Sequence, residues 1–238
     1  MKRRLYVLSI LCALLAQGLS CAQEHAAAKS ASQLRFRVVS SLPDSHRAVP
    51  AVAWLDPLPG TPGLPFVPQR RYTLLQKDRT FHPHLLVIPT GSVVEFPNAD
   101  PFFHNVFSMF DGKRFDLGLY EAGSSKSVTF SRAGVSYVFC NIHPEMSAVV
   151  LTLSTPLYAI ADGNEAFVLD GIPPGSYSLH VWIEGVPPSF LSGMTQTVRF
   201  SSNTVDLGTL SAPIARAGAM SHSNKFGKPY STSSDTIY

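Results

Sequence analysis

Charged residues, cysteines and helical patterns are all scarce in this chain of 238 residues. Lysine and arginine (19) outnumber aspartate and glutamate (16) only slightly, and no basic cluster indicates a nucleic-acid partner. Instead of helical periodicity, short segments rich in Val, Phe, Tyr and Thr alternate with clusters of Gly, Pro, Asn and Asp, and the 19 prolines suit loops and strand edges. The pattern predicts an all-β protein, an antiparallel sandwich or barrel.

The N-terminus predicts export. A basic start is followed by an apolar run from Leu5 to Ala16 and by small residues around Cys21, which is typical of a signal peptide over residues 1–22. The run is shorter than the roughly 20 residues that a membrane span needs. Its removal would cancel the formal charge of +3, because it contains three basic residues and no acidic ones. A bacterial periplasmic location follows, with a lipid anchor at Cys21 as the alternative, although Gly18 does not suit lipoprotein processing.

Removal of the signal peptide would leave Cys140 as the only cysteine, in a compartment where cysteines usually form disulfides. Cys140, His143 and Met146 follow a C-x2-H-x2-M spacing, and His104 lies upstream. One thiolate, two imidazoles and one thioether form the ligand set of a blue-copper site. The alternative is a buried, inert cysteine that packs as a small hydrophobe.

Strand alternation places these residues at one end of a sandwich. Val135 to Cys140 and Ala148 to Leu153 predict a hairpin in which Cys140 ends the first strand, on the same face as Ser136 and Val138. A strand over His104 to Ser108 could close the site.

Three segments carry a family resemblance: Phe96-Pro97-Asn98-Ala99-Asp100, His104-Asn105-Val106-Phe107-Ser108 and Cys140-Asn141-Ile142-His143-Pro144-Glu145-Met146. Residues 72–155 resemble the plastocyanin and azurin family of cupredoxins, with a copper loop similar to that of amicyanin. The whole chain resembles periplasmic plastocyanin-like proteins described as methylamine utilisation proteins. The resemblance implies a Greek-key β-sandwich that binds one copper ion as Cu(II) or Cu(I).

The resemblance also implies roles for individual residues. His104, Cys140 and His143 would be the equatorial ligands, and Met146 the axial ligand. The side chain of Asn105 would tie the two ligand loops together by hydrogen bonding. His143 would be the electron port, within an apolar patch that Phe102, Phe103 and Pro144 could form.

A site closed by four protein ligands favours an electron carrier over an enzyme, because metal catalysis normally needs an open coordination position. The partner would be a periplasmic dehydrogenase or a c-type cytochrome. A copper storage or delivery protein is the first alternative, and a structural binding module with a residual copper site is the second. His82 and His84 are interpreted as structural residues, with a second metal contact as the alternative.

The rest of the chain predicts a second module. Residues 156–212 resemble the carboxypeptidase regulatory-like, transthyretin-like β-sandwich, and residues 33–56 would supply its first strands. The cupredoxin domain would then be inserted into this sandwich, with the Pro-rich residues 57–71 as one connector. The composition of residues 213–238 predicts a disordered tail.

Overall fold

The computed structural model describes residues 32–41, 49–69, 71–109, 112–214 and 223–230. The predicted signal peptide (residues 1–22), including Cys21, lies outside the described residues. Within them the protein has 17 strands and one helix, α1 (Pro188–Gly193), so the all-β prediction is confirmed. In this part of the chain no helix has the length and apolar character required to cross a membrane.

Ten strands between residues 72 and 153 form a unit that we term the central sandwich. One of its sheets has the strand order β10-β7-β3, the other has the order β6-β12-β11-β8-β9, and β4 and β5 pair separately. Apolar side chains such as Phe96, Phe130 and Val138 fill the space between the sheets. The strands are β3 (Tyr72–Thr73), β4 (Leu75–Lys77), β5 (Thr80–His82), β6 (Leu85–Pro89), β7 (Ser92–Pro97), β8 (His104–Ser108), β9 (Phe115–Tyr120), β10 (Ser125–Phe130), β11 (Gly134–Cys140) and β12 (Ser147–Leu153).

The remaining seven strands form the outer sandwich, whose sheets have the orders β14-β1-β17 and β13-β2-β15-β16. Its core contains Leu34, Phe36 and Phe167. Strands from before and after the central sandwich thus share one core, as an insertion would produce; the domain boundaries themselves stay a prediction. The strands are β1 (Ser32–Ser40), β2 (Ala51–Pro57), β13 (Tyr158–Ile160), β14 (Ala166–Ile172), β15 (Gly175–Ile183), β16 (Gln196–Phe200) and β17 (Thr204–Ala212).

The sequence predicted antiparallel sheets, but the sheets are mixed. β6 runs parallel to β12, β3 runs parallel to β7, and β1 runs parallel to β17. Parallel pairing requires a long connection, and each of these pairs is separated by other strands along the chain. The difference therefore arises from topology, which strand periodicity does not reveal.

The two sandwiches pack against each other through a small apolar cluster. Val52 and Trp182 of the outer sandwich are buried with Val149, Leu151 and Leu153 of β12. Two polar contacts cross the same boundary. The Trp182 Nε1–H donates to the Tyr137 hydroxyl at 3.2 Å, and the His84 Nε2 atom lies 2.6 Å from a carboxylate oxygen of Glu184.

Part of the predicted disordered tail (residues 213–238) has a defined structure. Residues 223–230 form a turn that contacts the central sandwich through Lys225 and Tyr230. Disorder was predicted because this segment has little apolar area to bury. Composition does not reveal hydrogen bonds to residues far away in the sequence. Residues 215–222 and 231–238 lie outside the described part of the chain.

Candidate metal centre

Two neighbouring strands bring the predicted ligands together. β8 begins at His104, β11 ends at Cys140, and Cys140 pairs with Val106. Ser136, Val138 and Cys140 of β11 are buried, as the predicted alternation requires, and Phe139 on the opposite face is buried as well. Cys140 therefore points into the core at the end of the sandwich where β8 starts.

The loop after Cys140 is held by its own backbone. The Cys140 N–H donates to the Met146 carbonyl at 3.2 Å, and the Met146 N–H donates to the His143 carbonyl at 3.1 Å. The Asn141 N–H donates to the Asn105 carbonyl at 2.9 Å and so joins this loop to the start of β8. These bonds fix where the loop presents His143.

Three donor atoms converge at this end. Cys140 Sγ lies 3.7 Å from His104 Nδ1 and 3.6 Å from His143 Nδ1, and the two Nδ1 atoms are 3.1 Å apart. In the plane of the three donor atoms, the point equidistant from them lies about 2.0 Å from each atom. This distance is close to the bond lengths of a metal with imidazole and thiolate ligands. Among the described residues, this is the one group of three or more His, Cys, Asp or Glu side chains arranged to hold a metal ion.

Burial sets the protonation of these side chains. It lowers the pKa of His104 and of His143, and for His143 the neighbouring His104 lowers it further. Burial raises the pKa of Cys140, while the backbone N–H groups of Asn105, Ile142 and His143 act in the opposite direction. Two neutral imidazoles thus face a thiol surrounded by N–H donors, which can stabilise a thiolate once a cation replaces its proton.

Asp100 fixes the orientation of His104, a role that the sequence did not reveal. Its carboxylate lies 2.8 Å from His104 Nε2 and is 5% exposed. Burial favours the neutral acid, but hydrogen bonds from the Arg79 N–H, from His104 and from the Asp78 N–H lower the pKa of Asp100 overall. An ionised Asp100 requires the proton of His104 on Nε2, which leaves the Nδ1 lone pair directed at Cys140 and His143.

The other two predicted site residues have different placements. Met146 is fully buried in the same core cluster as Cys140, and its backbone contacts place it beside the three donors. The Asn105 side chain does not hydrogen-bond the Cys140 segment directly, whereas the resemblance implied that it would. Its Nδ2–H donates to Asp116 on β9 at 2.7 Å, whereas its backbone carbonyl makes the link to Asn141. Asp116 lies within reach because β9 pairs with β8.

Aromatic residues line the outer side of the donors. The Phe102 ring contacts the rings of His104 and His143 edge-on, with centroids 5.3 and 5.4 Å apart, and the Arg79 guanidinium lies over its face. Phe103 is 44% exposed, and Pro144 is also exposed. Phe102 therefore lies next to His143, and the grouping of Phe103 and Pro144 with it in one apolar patch stays a prediction.

The remaining described histidines do not join this group. Both ring nitrogens of His84 have partners, the Ser147 carbonyl and Glu184, and His82 is exposed on β5. His180 stacks on Trp54 in the outer sandwich. Neither His82 nor His84 extends the three-donor site.

Several solved cupredoxins are similar to part of this structure. A purple cupredoxin from Nitrosopumilus maritimus is 23% identical with a TM-score of 0.32, and the match covers 34% of this chain and 99% of that chain. A copper-containing nitrite reductase from Thermus scotoductus SA-01 is 25% identical with a TM-score of 0.33, over 41% of this chain and 25% of that chain. A variant of amicyanin in its reduced Cu(I) form at pH 4 is 20% identical with a TM-score of 0.34, over 37% and 86%.

No protein-family model and no curated protein sequence matches the chain. A functional conclusion therefore depends on the residues of the site.

Proposed function

We propose that this protein is a periplasmic blue-copper protein that carries single electrons between redox partners. The observation that carries the proposal is the convergence of His104 Nδ1, Cys140 Sγ and His143 Nδ1 to a triangle with sides of 3.1 to 3.7 Å. Soft thiolate and imidazole donors in a trigonal arrangement favour copper, and the Met146 thioether would be its fourth ligand. Copper, when bound, would supply a one-electron Cu(II)/Cu(I) couple.

The surrounding residues suit a carrier because they hold the donors in place. Backbone hydrogen bonds join the two ligand-bearing segments, and Asp100 fixes the ring of His104. A site held by supporting contacts changes little between oxidation states, which keeps the barrier to electron transfer low. Four protein ligands would leave no open position, so we favour a carrier over an enzyme.

The patch of Phe102, Phe103 and Pro144 beside His143 is the proposed docking surface for the partner. Weak redox encounters use interfaces below about 1,200 Å², and a small apolar patch is sufficient for them. The partner would be a periplasmic dehydrogenase or a c-type cytochrome. Methylamine oxidation is the pathway that the sequence resemblance favours.

The test is a titration of the purified protein with Cu(II), followed by ascorbate. We expect an intense visible thiolate-to-copper band that bleaches on reduction and returns on reoxidation. A protein that binds copper without this band would contradict the proposal. A reduced protein that passes Cu(I) rapidly to an acceptor would instead indicate copper delivery.

A further inference from the structure

Residues 223–230, which we term the C-terminal clasp, form an ordered turn. The Asn224 N–H donates to the Lys228 carbonyl at 2.8 Å, and the Asn224 Oδ1 atom accepts from the N–H groups of Phe226 and Lys228. Gly227 has a positive φ of 74°, a conformation that suits glycine. This local network fixes the position of Lys225 within the turn.

Lys225 completes a closed ring of hydrogen bonds around the ligand-bearing segments. Its N–H donates to Asn141 Oδ1 at 2.9 Å, and its Nζ lies 2.7 Å from Asp116 Oδ2. Asp116 accepts from the Asn105 side chain at 2.7 Å, and the Asn105 carbonyl accepts from the Asn141 N–H at 2.9 Å. Two members of the ring are adjacent to ligands in sequence, Asn105 to His104 and Asn141 to Cys140.

A second contact of the clasp reaches Cys140 itself. The Tyr230 hydroxyl donates to the Cys140 carbonyl at 2.8 Å, and burial raises the pKa of this tyrosine. Lys225 is also largely shielded, with a side chain 20% exposed. The clasp thus contacts the ligand-bearing segments at points next to, or on, the donor residues.

We propose that the C-terminal clasp is a positioning element of the metal centre that holds the His104 and Cys140 segments together and slows metal release. The proposal rests on the copper function proposed above. Release of the ion requires the donors to separate, and separation of β8 from the Cys140 loop would break the Lys225 ring. Hydrogen bonds that must break before the ion leaves slow its departure without contacting it.

The test compares release of Cu(I) to an excess of a competing chelator in the full protein. Lys225→Met removes the ammonium group, and Tyr230→Phe removes the hydroxyl. We expect the double variant to release Cu(I) about thirtyfold faster than wild type, as two ordinary hydrogen bonds predict. Wild-type release rates in both single variants and the double variant would overturn the proposal.

The chain provides matched controls for both substitutions. Lys228→Met removes an exposed lysine of the same turn. Tyr177→Phe removes a hydroxyl that donates to the Pro173 carbonyl at 3.1 Å, within the outer sandwich. Both controls should release Cu(I) at the wild-type rate. If they released Cu(I) as fast as the clasp variants, the cause would be a general loss of stability, and the proposed role of the clasp would be overturned.

Hydrogen exchange of the metal-free protein separates this proposal from the copper function. The clasp should slow exchange over residues 138–142, and the double variant should exchange this segment faster while β1 is unaffected. If the double variant exchanged residues 138–142 at the wild-type rate, and wild type showed a normal copper band, only the proposed role of the clasp would be overturned. Absence of copper binding in wild type would overturn the proposed function. Faster exchange in the double variant would still support the contact between the clasp and the Cys140 segment.

Discussion

The central sandwich buries many polar side chains, and the outer sandwich buries very few. Of the twelve buried polar or charged residues in the described part of the chain, ten lie in the central sandwich, and Ser32 and Thr155 are the others. The outer core is formed by apolar and aromatic side chains, and the hydroxyl of its Tyr177 is paired with the Pro173 carbonyl. The two sandwiches thus differ in the polarity of their interiors, and buried polar groups cost stability unless they are paired.

Unpaired atoms make the contrast sharper. All five buried side-chain N or O atoms without a hydrogen-bond partner in the described residues belong to the central sandwich. They are Gln76 Oε1, Asn105 Oδ1, Ser108 Oγ, Ser136 Oγ and Thr152 Oγ1. Each such atom costs about 1 to 3 kcal/mol, whereas the outer sandwich contributes apolar burial without this penalty. We therefore expect substitutions in the central sandwich to affect function most, and substitutions in the outer sandwich to affect stability most.

The largest expected effect on function comes from Cys140→Ser. Removing the thiolate should abolish the intense visible band completely, because the copper–thiolate bond produces it. The metal-free variant should unfold, by circular dichroism, with the same transitions as metal-free wild type, since the strands around residue 140 remain. An unchanged visible spectrum in this variant would refute the ligand assignment.

The largest expected effect on stability comes from Phe167→Ala in the outer core. Phe167 is 1% exposed and stacks on Phe36 with centroids 4.6 Å apart, so its truncation should lower the free energy of unfolding by about 3 to 5 kcal/mol. Below its unfolding transition, the variant should retain the visible band of wild type. The control is Val168→Ala on the same strand, where the side chain is 48% exposed and the loss should be small. A shifted band in folded Phe167→Ala would show that the two sandwiches are not separable.

A smaller change within the central sandwich is expected for Asp100→Asn. The amide keeps the shape but removes the negative charge next to His104 Nε2, so Cu(II) affinity should fall about tenfold and the reduction potential should rise. Copper titration and redox potentiometry measure the two quantities. Asp206→Asn, at an exposed aspartate of the outer sandwich, should alter neither. Equal potentials in Asp100→Asn and wild type would show that this carboxylate has no influence on the metal.

The smallest effect concerns the boundary between the sandwiches. The hydrogen bond to Glu184 raises the pKa of His84 above its ordinary value of 6.5, with burial opposing it. A raised pKa means that the stabilisation is fully present below pH 6.5 and is lost as the pH rises through the raised value. His84 is 38% exposed, so the contribution should be less than about 1 kcal/mol.

Chemical denaturation of wild type and His84→Gln at several pH values measures this contribution. The difference in unfolding free energy should be largest on the acidic side and should shrink on the alkaline side. A difference that grows with pH would contradict the assignment of the ion pair.

Short apolar runs between turn residues were sufficient to predict much of the central sandwich. β8 begins at His104 and β11 ends at Cys140, at the predicted positions. All five residues of β8 are buried, so period-two alternation is visible, in part, in β11 and not in β8. β9 was missed, and its half-exposed sequence with Leu119 at 60% exposure explains why. The contacts of Asp116 with Lys225, and of Cys140 with Tyr230, join residues far apart in the chain, and no local pattern encodes them. Metal binding itself stays a prediction.

The position of β1 between β14 and β17 has a consequence for biosynthesis. Both edges of β1 pair with strands that lie more than about 120 residues downstream, so they have no partner until β14 and β17 have been synthesised. The central sandwich, by contrast, is contiguous and can fold earlier on the nascent chain. A product truncated before β17 would expose a bare edge of β1 that is prone to aggregation, and only chains that extend through β17 can complete this sheet.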